Sequence, residues 1–128
     1  MNVFSKLKHT KILLIDDDEW IRDAMTLFFE AEGCRIKALE TAEEAVEEIH
    51  RQDYDIVICD YKLPGLDGLQ LLKEVQKVKP DTKTILITAY KTDALVSEAK
   101  QMGIHDFISK PFTSETIEAS LSRITSEP

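Results

Sequence analysis

Five short apolar runs alternate along the chain with five longer segments whose apolar residues repeat at helical spacing. A strand, a helix and a second strand form a right-handed crossover between parallel strands, and repetition of this unit gives a doubly wound sheet with helices on both faces. Five strands suit the order 2-1-3-4-5, which places the first and third strands side by side. The pattern therefore predicts a single α/β domain with a (βα)5 architecture.

The element boundaries follow from local signals. Gly33 and Gly103 are expected to end two helices as left-handed residues, and Thr41 with Glu44 predicts a capping box. Thr113 or Ser114 is expected to cap the last helix. The predicted strands are residues 11–15, 34–39, 56–60, 84–88 and 106–109. We expect residues 1–9 to be a loose lead-in, 10–125 to form the domain and 126–128 to be a tail.

Composition excludes several classes of protein. The net charge of −8 disfavours a direct nucleic-acid partner or an anionic membrane surface, because both would repel the chain. No apolar run approaches the roughly 20 residues of a membrane-spanning helix, and residues 1–8 lack the pattern of a signal peptide. Cys34 and Cys59 suggest no disulfide framework. A reducing cytoplasm is the expected compartment.

A carboxylate follows the most apolar of the predicted strands. Residues 56–59 (Ile-Val-Ile-Cys) read as a strand buried on both faces, Asp60 ends it, and residues 63–65 (Leu-Pro-Gly) turn the chain away. Ligands in open α/β sheets bind beyond the carboxyl ends of the strands. Asp60 is therefore the candidate centre of a functional site.

Two further carboxylates, Asp16 and Asp17, end the neighbouring predicted strand. Acidic residues at this position also favour the amino terminus of a helix, and Asp18 and Glu19 are expected to serve that purpose. Three carboxylates in one cleft repel each other unless a cation neutralises them. Oxygen ligands with open water positions suit Mg²⁺. We therefore expect Mg²⁺ to stabilise the protein.

A hydroxyl and a cation end the last two predicted strands. Thr88 and Lys110 are individually compatible with ordinary roles at a strand end or a solvated surface. Beside a carboxylate and a metal, they complete what phosphoryl transfer to Asp60 requires: a nucleophile, a divalent ion and donors for the phosphoryl oxygens. Pro111 permits a cis peptide bond after Lys110.

The chain resembles a response-regulator receiver domain from about residue 10 to residue 124. Each motif is weak alone, but their occurrence in this order and at these separations is specific. The matching residues are Asp16-Asp17, Asp60, 63–68 (Leu-Pro-Gly-Leu-Asp-Gly), Thr88-Ala89 and 106–112 (Asp-Phe-Ile-Ser-Lys-Pro-Phe).

The resemblance implies a CheY-like, flavodoxin-like fold and a role for each matching residue. Asp60 would accept a phosphoryl group from a phosphohistidine of a sensor histidine kinase or phosphotransfer protein. Asp17, Asp60 and the backbone carbonyl of Lys62 would bind Mg²⁺, with Asp16 acting largely through a bound water. Thr88 and Lys110 would hold the phosphoryl group.

The resemblance also implies a switch. Phe107 would turn inward when Thr88 moves toward the phosphate, and Lys62 and Tyr90 would tune the lifetime of phospho-Asp60. The domain would then act on an output domain or protein through the fourth and fifth helices and the fifth strand of the fold. It would not be an enzyme beyond its own phosphorylation and dephosphorylation, and a phosphorylation-dependent homodimer is compatible with it.

Two groups of residues are expected to contact partners. Asp18, Glu19 and Arg22 flank the predicted pocket and are candidates for kinase docking. If Val96, Ala99 and Met102 face the sheet, Ala94 and Leu95 lie toward the exposed flank of their helix and contribute to a partner or dimer surface.

Three other functions compete with this interpretation. A haloacid-dehalogenase-type phosphatase would use Asp16 as nucleophile and Asp18 as acid, but Trp20 stands where that family has Thr or Val, and no acidic pair follows Lys110. A flavin binder would need a phosphate-binding loop where the first strand instead leads into carboxylates. A metal-binding scaffold would bind Mg²⁺ without being phosphorylated.

Overall fold

The computed structural model describes residues 3–125. Its five strands form one parallel sheet in the order β2-β1-β3-β4-β5. This order confirms the predicted topology and places β2 at an edge. The strands are β1 (Lys11–Ile15), β2 (Arg35–Leu39), β3 (Ile56–Asp60), β4 (Lys83–Thr88) and β5 (Asp106–Ser109).

Six helices accompany the sheet within the described residues. Five of them follow the strands, as predicted, and one precedes β1. The helices are α1 (Val3–Leu7), α2 (Glu19–Ala31), α3 (Ala42–Arg51), α4 (Gly68–Val78), α5 (Asp93–Gln101) and α6 (Ser114–Thr125). None of the helices described is long and apolar enough to cross a membrane.

Two apolar cores cover the two faces of the sheet. Strand residues alternate between them because successive side chains of a strand point to opposite faces. Val57 and Leu86 pack with α3, α4 and α5 on one face. Ile58 and Ile85 pack with α1, α2 and α6 on the other.

The register of the sheet determines which side chains meet at its carboxyl edge. Ile15 of β1 lies beside Cys59 of β3, so the acidic residues that follow β1 emerge next to Asp60. Thr88 of β4 lies beside Ser109 of β5, so Lys110 emerges next to Thr88. Four strands therefore deliver the predicted site residues to one edge.

The local boundary signals behave as expected. Thr41 and Glu44 form the predicted capping box, and Thr113 Oγ1 accepts a hydrogen bond from the N–H of Thr116 at the start of α6. Gly33 and Gly103 have positive φ angles of 82° and 83°, which a residue with a Cβ adopts only with strain.

The interpretation of residues 1–9 as loose was wrong for their described part. Residues 3–7 form α1, in which Phe4 and Leu7 are buried. The Phe4 ring contacts Phe28 and Phe29 edge to face, at centroid distances of 5.4 and 6.5 Å. A single turn of helix forms here because it buries two large apolar side chains, and not because of intrinsic helix propensity. The tail at 126–128 lies outside the described residues.

The assignment of Leu95 to an exposed flank was also wrong. Leu95 is only 6% exposed and packs in the core on the α3–α5 face, together with Ala99. Residues 95 and 99 are four apart, so they share one face of α5, and that face is the one turned toward the sheet. Ala94 is exposed, as expected.

Candidate functional site

Three carboxylates converge at the carboxyl edge of β1 and β3. Oxygen atoms of Asp16, Asp17 and Asp60 all lie within 4.8 Å of one another. Asp16 is fully buried and Asp60 is 5% exposed, whereas Asp17 is exposed. The structure therefore brings together the three acids that the sequence predicted to share a pocket.

Lys110 joins two of these acids. Its Nζ lies 3.0 Å from Asp60 Oδ2 and 3.1 Å from Asp16 Oδ2. The backbone N–H of Lys110 donates to the carbonyl of Thr88 at 2.8 Å, which extends the pairing of β4 and β5 by one residue. The Lys110–Pro111 peptide bond is cis.

Burial and charge shift the pKa values of this cluster. Burial raises the pKa of Asp16, the Asp60 charge raises it further, and the N–H of Asp18 and the Lys110 charge oppose the rise. Burial alone would lower the pKa of Lys110, but its hydrogen bond to Asp60 and the two carboxylate charges raise it above its usual value. Lys110 therefore stays a cation held between acids.

The donor set fits a hard divalent cation. Asp16 Oδ2 is buried, and among residues 3–125 its one polar contact is the ion pair with Lys110 Nζ at 3.1 Å. A buried, under-coordinated carboxylate oxygen beside two further carboxylates is a ligand arrangement that Mg²⁺ accepts. Asp17 adds an oxygen on the solvent side of the pocket.

The loop that follows Asp60 is anchored by a glycine whose contacts the sequence did not predict. The N–H of Gly68 donates to the carbonyl of Tyr61 at 2.7 Å. A Cβ at residue 68 would lie 2.3 Å from the Asp60 carbonyl oxygen and 2.8 Å from the Tyr61 Cα. Only glycine allows α4 to start this close to the end of β3. The position of Gly68 eight residues after Asp60 was visible in the sequence, but not its approach to β3.

Lys62 and Tyr90 meet across the mouth of the pocket. The Lys62 Nζ lies 4.8 Å from the centroid of the Tyr90 ring, within the range of a cation–π contact. The N–H of Tyr90 donates to the hydroxyl of buried Thr88 at 2.9 Å. Lys62 and Tyr90 line a cavity of about 490 Å³ together with Asp17, Asp60 and Lys110.

The remaining predicted residues occupy the surroundings of the pocket. Phe107 is half-buried against the core that contains Leu95. Asp18 caps α2 by accepting a hydrogen bond from the N–H of Trp20, and Glu19 is exposed in the first turn. Arg22 does not simply face solvent, because its Nη1 donates to the Asp16 carbonyl at 2.9 Å.

An apolar groove adjoins the pocket between α2 and α6. Its volume is about 560 Å³, and Trp20, which is 80% exposed, stands at its edge. Phe28 of α2 and Phe112, which precedes α6, lie on its two sides. This groove could not be predicted from the sequence, because its two walls are far apart in the chain.

Comparison with known proteins decides the family. Residues 12–122 match the model of the response regulator receiver domain. The chain belongs to this family. The receiver fold is also found in solved structures, including the non-phosphorylated HemR receiver domain of Leptospira biflexa. That domain is 26% identical, with a TM-score of 0.85, over 93% of this chain and 98% of that one.

Two curated relatives of this receiver domain differ in how much of their own length it covers. The C4-dicarboxylate transport transcriptional regulatory protein DctD of Rhizobium meliloti is 35% identical over 88% of this chain but only 24% of its own length. Sporulation initiation phosphotransferase F of Bacillus subtilis is 27% identical over 91% of this chain and 94% of its own. The chain thus spans about a quarter of DctD and nearly all of the phosphotransferase.

Family membership does not favour the competing functions. A receiver domain is a signalling domain, and receiver domains generally bind Mg²⁺ at an acidic pocket, which here corresponds to the cluster of Asp16, Asp17 and Asp60. The phosphatase assignment, with Asp16 as nucleophile, also conflicts with burial. Asp16 is fully enclosed and paired with Lys110, whereas Asp60 borders the open cavity.

Proposed function

We propose that Asp60 is the phosphoacceptor of this receiver domain and takes its phosphoryl group from a phosphohistidine of a sensor histidine kinase or phosphotransfer protein. The observation that carries the proposal is the position of the Asp60 carboxylate, which borders an open cavity while its Oδ2 pairs with Lys110 at 3.0 Å. A carboxylate so placed is both accessible to a phosphodonor and beside the cation needed to stabilise transferred charge.

The reaction is an in-line displacement. An Asp60 carboxylate oxygen forms a bond to phosphorus while the phosphorus–nitrogen bond to the donor histidine breaks, and the electron pair of that bond returns to the imidazole. Asp16, Asp17, Asp60 and the backbone carbonyl of Lys62 would hold Mg²⁺. When bound, this ion would offset the negative charge of the phosphoryl oxygens.

Lys110 would exchange one anionic partner for another. Before phosphorylation its ammonium bridges Asp60 and Asp16. Once Asp60 becomes an acyl phosphate, that carboxylate loses its charge and the phosphoryl oxygens offer a stronger acceptor. Lys110 therefore follows the charge outward, and Thr88 donates its hydroxyl hydrogen to the same group.

Movement of Thr88 would carry the signal away from the pocket. Its Oγ1 now accepts a hydrogen bond from the N–H of Tyr90, which ties the start of the β4–α5 loop to the end of β4. Displacement of this hydroxyl would free space for the half-buried Phe107 ring. The α5, β5 and α6 surface, with Ala94 on it, would then present two alternative arrangements to an output domain or protein or to a second copy of this chain.

Partner docking beside the pocket is the second part of this proposal. Exposed Asp18 and Glu19, with Trp20 and the apolar groove next to them, lie close to the cavity that contains Asp60. A phosphodonor must bring its histidine into that cavity, so a docking surface here suits the kinase or phosphotransfer protein. The net charge of −8 disfavours direct nucleic-acid binding by this domain. The compartment that suits these roles is the cytoplasm.

Lys62 and Tyr90 are proposed to set the lifetime of phospho-Asp60. Their cation–π pair spans the pocket mouth and would limit the access of water to the acyl phosphate. Replacement of both residues by alanine should speed the loss of phosphate severalfold, measured by intact mass after removal of the phosphodonor. An unchanged rate of phosphate loss would show that Lys62 and Tyr90 do not set the lifetime of phospho-Asp60.

The decisive experiment uses intact-mass spectrometry with acetyl phosphate and Mg²⁺. The wild-type chain should gain one phosphoryl group, Asp60→Asn should gain none, and Asp81→Asn, which changes an exposed aspartate elsewhere, should behave as wild type. A wild-type protein that binds Mg²⁺ but gains no mass would instead be a metal-binding scaffold. Turnover of an aryl phosphate that is lost in Asp16→Asn and kept in Asp60→Asn would support the phosphatase.

A further inference from the structure

We propose that Arg22 is a positioning residue for the metal pocket and that it orients Asp17 by holding the peptide bond between Asp16 and Asp17. The contact that supports this role is the hydrogen bond from Arg22 Nη1 to the Asp16 carbonyl oxygen, at 2.9 Å. The inference rests on the proposed function, because it concerns the same site. It gives Arg22 a role within the pocket instead of on a docking surface.

The geometry of a peptide bond explains how a contact with Asp16 acts on Asp17. The carbonyl of Asp16 and the N–H of Asp17 belong to one planar unit. A hydrogen bond that fixes the oxygen therefore fixes the direction in which the chain leaves β1 and presents the Asp17 side chain. Rotation of this plane would swing the Asp17 carboxylate away from Asp16 and Asp60.

Asp17 depends on its backbone more than the other two acids do. Asp16 and Asp60 are buried and paired with Lys110. Asp17 is exposed, and among residues 3–125 no side-chain hydrogen bond or ion pair restrains its carboxylate. Its position relative to the other ligands is therefore determined by the loop that carries it.

Arg22 is firmly placed to hold that loop. Its own N–H donates to the carbonyl of Asp18 at 3.1 Å in the first turn of α2. The N–H of Asp18 in turn donates to Asp16 Oδ1 at 2.9 Å. Two hydrogen bonds therefore hold the segment from the end of β1 to the first turn of α2: one from the Asp18 N–H to the Asp16 side chain and one from the Arg22 side chain to the Asp16 carbonyl. The planar guanidinium favours this contact, and a lysine would reproduce its charge but not its geometry.

Charge and position predict opposite effects of removing Arg22. If Arg22 acted only through its charge, its loss would leave the acidic pocket more negative and would tighten the binding of a divalent cation. If it positions a ligand, its loss should weaken that binding, since removal of groups that orient metal ligands typically reduces affinity by about 10-fold to 100-fold. The sign of the change therefore separates the two roles.

The test measures the Mg²⁺ dissociation constant of the whole chain by isothermal titration calorimetry. Arg22→Gln and Arg22→Lys should each bind Mg²⁺ about 10-fold more weakly than wild type. Arg35→Gln, which removes the same charge from an exposed position on β2, should bind as wild type does. Unchanged or tighter binding in Arg22→Gln, or full affinity in Arg22→Lys, would overturn the proposal.

A double-mutant cycle shows whether Arg22 acts through Asp17. In the Asp17→Asn background, the further change Arg22→Gln should have little additional effect on Mg²⁺ affinity. If Asp17→Asn and Arg22→Gln instead weaken Mg²⁺ binding independently, so that their fold-changes multiply in the double mutant, the positioning role is overturned. A folded wild-type chain that binds no Mg²⁺ would contradict the proposed metal pocket itself, whereas wild-type binding that is insensitive to Arg22 would contradict only this inference. Urea unfolding of each variant identifies losses that arise from unfolding.

Discussion

Lys110 Nζ lies 3.0 Å from Asp60 Oδ2, and this pair links the last strand of the sheet to the central one. The two residues are fifty positions apart in the chain. Their contact depends on the register that places β3 beside β4 and β4 beside β5. The same ammonium contacts buried Asp16, so one cation balances two acids.

Replacement of Lys110 by methionine should destabilise the metal-free protein. Methionine preserves the length of the side chain but leaves Asp16 and Asp60 without their cation in a largely buried setting. We expect the free energy of unfolding in urea to fall by about 1–3 kcal/mol without Mg²⁺. The difference in unfolding free energy between Lys110→Met and wild type should be smaller when Mg²⁺ is present. Lys77→Met, an exposed change on α4, is the control, and equal stability of the two variants would contradict the prediction.

Mg²⁺ should raise the thermal midpoint of the wild-type protein. A ligand at about 100 times its dissociation constant adds about 2.7 kcal/mol to the stability of a protein that binds it only when folded. The rise in thermal midpoint should be much smaller in Asp17→Asn, which removes an exposed proposed ligand without disturbing the core. Asp93→Asn, on α5, should show the same rise as wild type. A rise of wild-type size in Asp17→Asn would show that the ion binds elsewhere.

Alanine at position 68 should disturb both stability and the pocket. The added Cβ would meet the Asp60 carbonyl at 2.3 Å, so the β3–α4 connection must shift. We expect the free energy of unfolding to fall by about 1–3 kcal/mol and phosphorylation by acetyl phosphate to slow. Gly65 has a positive φ of 84°, so Gly65→Ala strains the backbone and should also lower the free energy of unfolding. Its phosphorylation rate should nevertheless stay closer to that of wild type than the rate of Gly68→Ala. Equal rates in the two variants would argue against a role for Gly68 in the pocket.

A glutamate should be tolerated at position 94 but not at position 95. Leu95 is 6% exposed in the core, and its replacement by a charged side chain should lower the free energy of unfolding by at least about 2 kcal/mol, because a buried charge would have no partner. Ala94 is exposed, so Ala94→Glu should change stability little. Only Ala94→Glu can therefore test a partner surface on α5. A stable Leu95→Glu protein in urea unfolding would contradict the burial of Leu95.

His105 should make the protein less stable in mild acid. Its Nδ1 accepts a hydrogen bond from the N–H of Thr84 at 3.1 Å. His105 is exposed as a residue, but partial desolvation of its ring beside Thr84 lowers its pKa below the usual value of 6.5, and the Lys83 charge lowers it further. As the pH falls, His105 is therefore protonated at a higher pH in the unfolded chain than in the folded protein. The stabilising contribution is complete above pH 6.5 and is lost as the pH falls from there toward the lower pKa of the folded state.

The pH effect can be isolated by comparing variants. Urea unfolding at about pH 7.5 and about pH 5.5 should show a smaller loss of stability for His105→Asn than for wild type. His50→Asn, an exposed change in the last turn of α3, should retain the wild-type loss. An identical acid dependence in His105→Asn and wild type would exclude His105 as its source.

The order of the sheet and the acids at its edge could be predicted from the sequence because alternating strands and helices allow few sheet topologies and because the acids follow locally recognisable strands. The run at residues 56–59 reads as a buried strand wherever it occurs, and parallel strands place their carboxyl ends together. Asp16, Asp17, Thr88 and Lys110 each end such a strand. Their convergence on Asp60 therefore followed from topology alone.

Contacts between residues on different elements could not be predicted in this way. Leu95 was assigned to the wrong face because the α5 segment admits more than one apolar stripe, and only packing on the sheet selects one. The α1 helix forms because Phe4 and Leu7 pack into a core whose other residues come from later in the chain.

The amino-acid sequence by itself determined the alternation of strands and helices and the chemistry at each strand end, since both depend on side-chain type and spacing. Tertiary structure decided which groups touch. It pairs Lys110 with two acids, seats Gly68 against the backbone of Asp60 and turns Arg22 onto the Asp16 carbonyl. The physical reason is that hydrogen bonds and ion pairs act over a few ångströms, and only the folded register brings residues distant in sequence within that range.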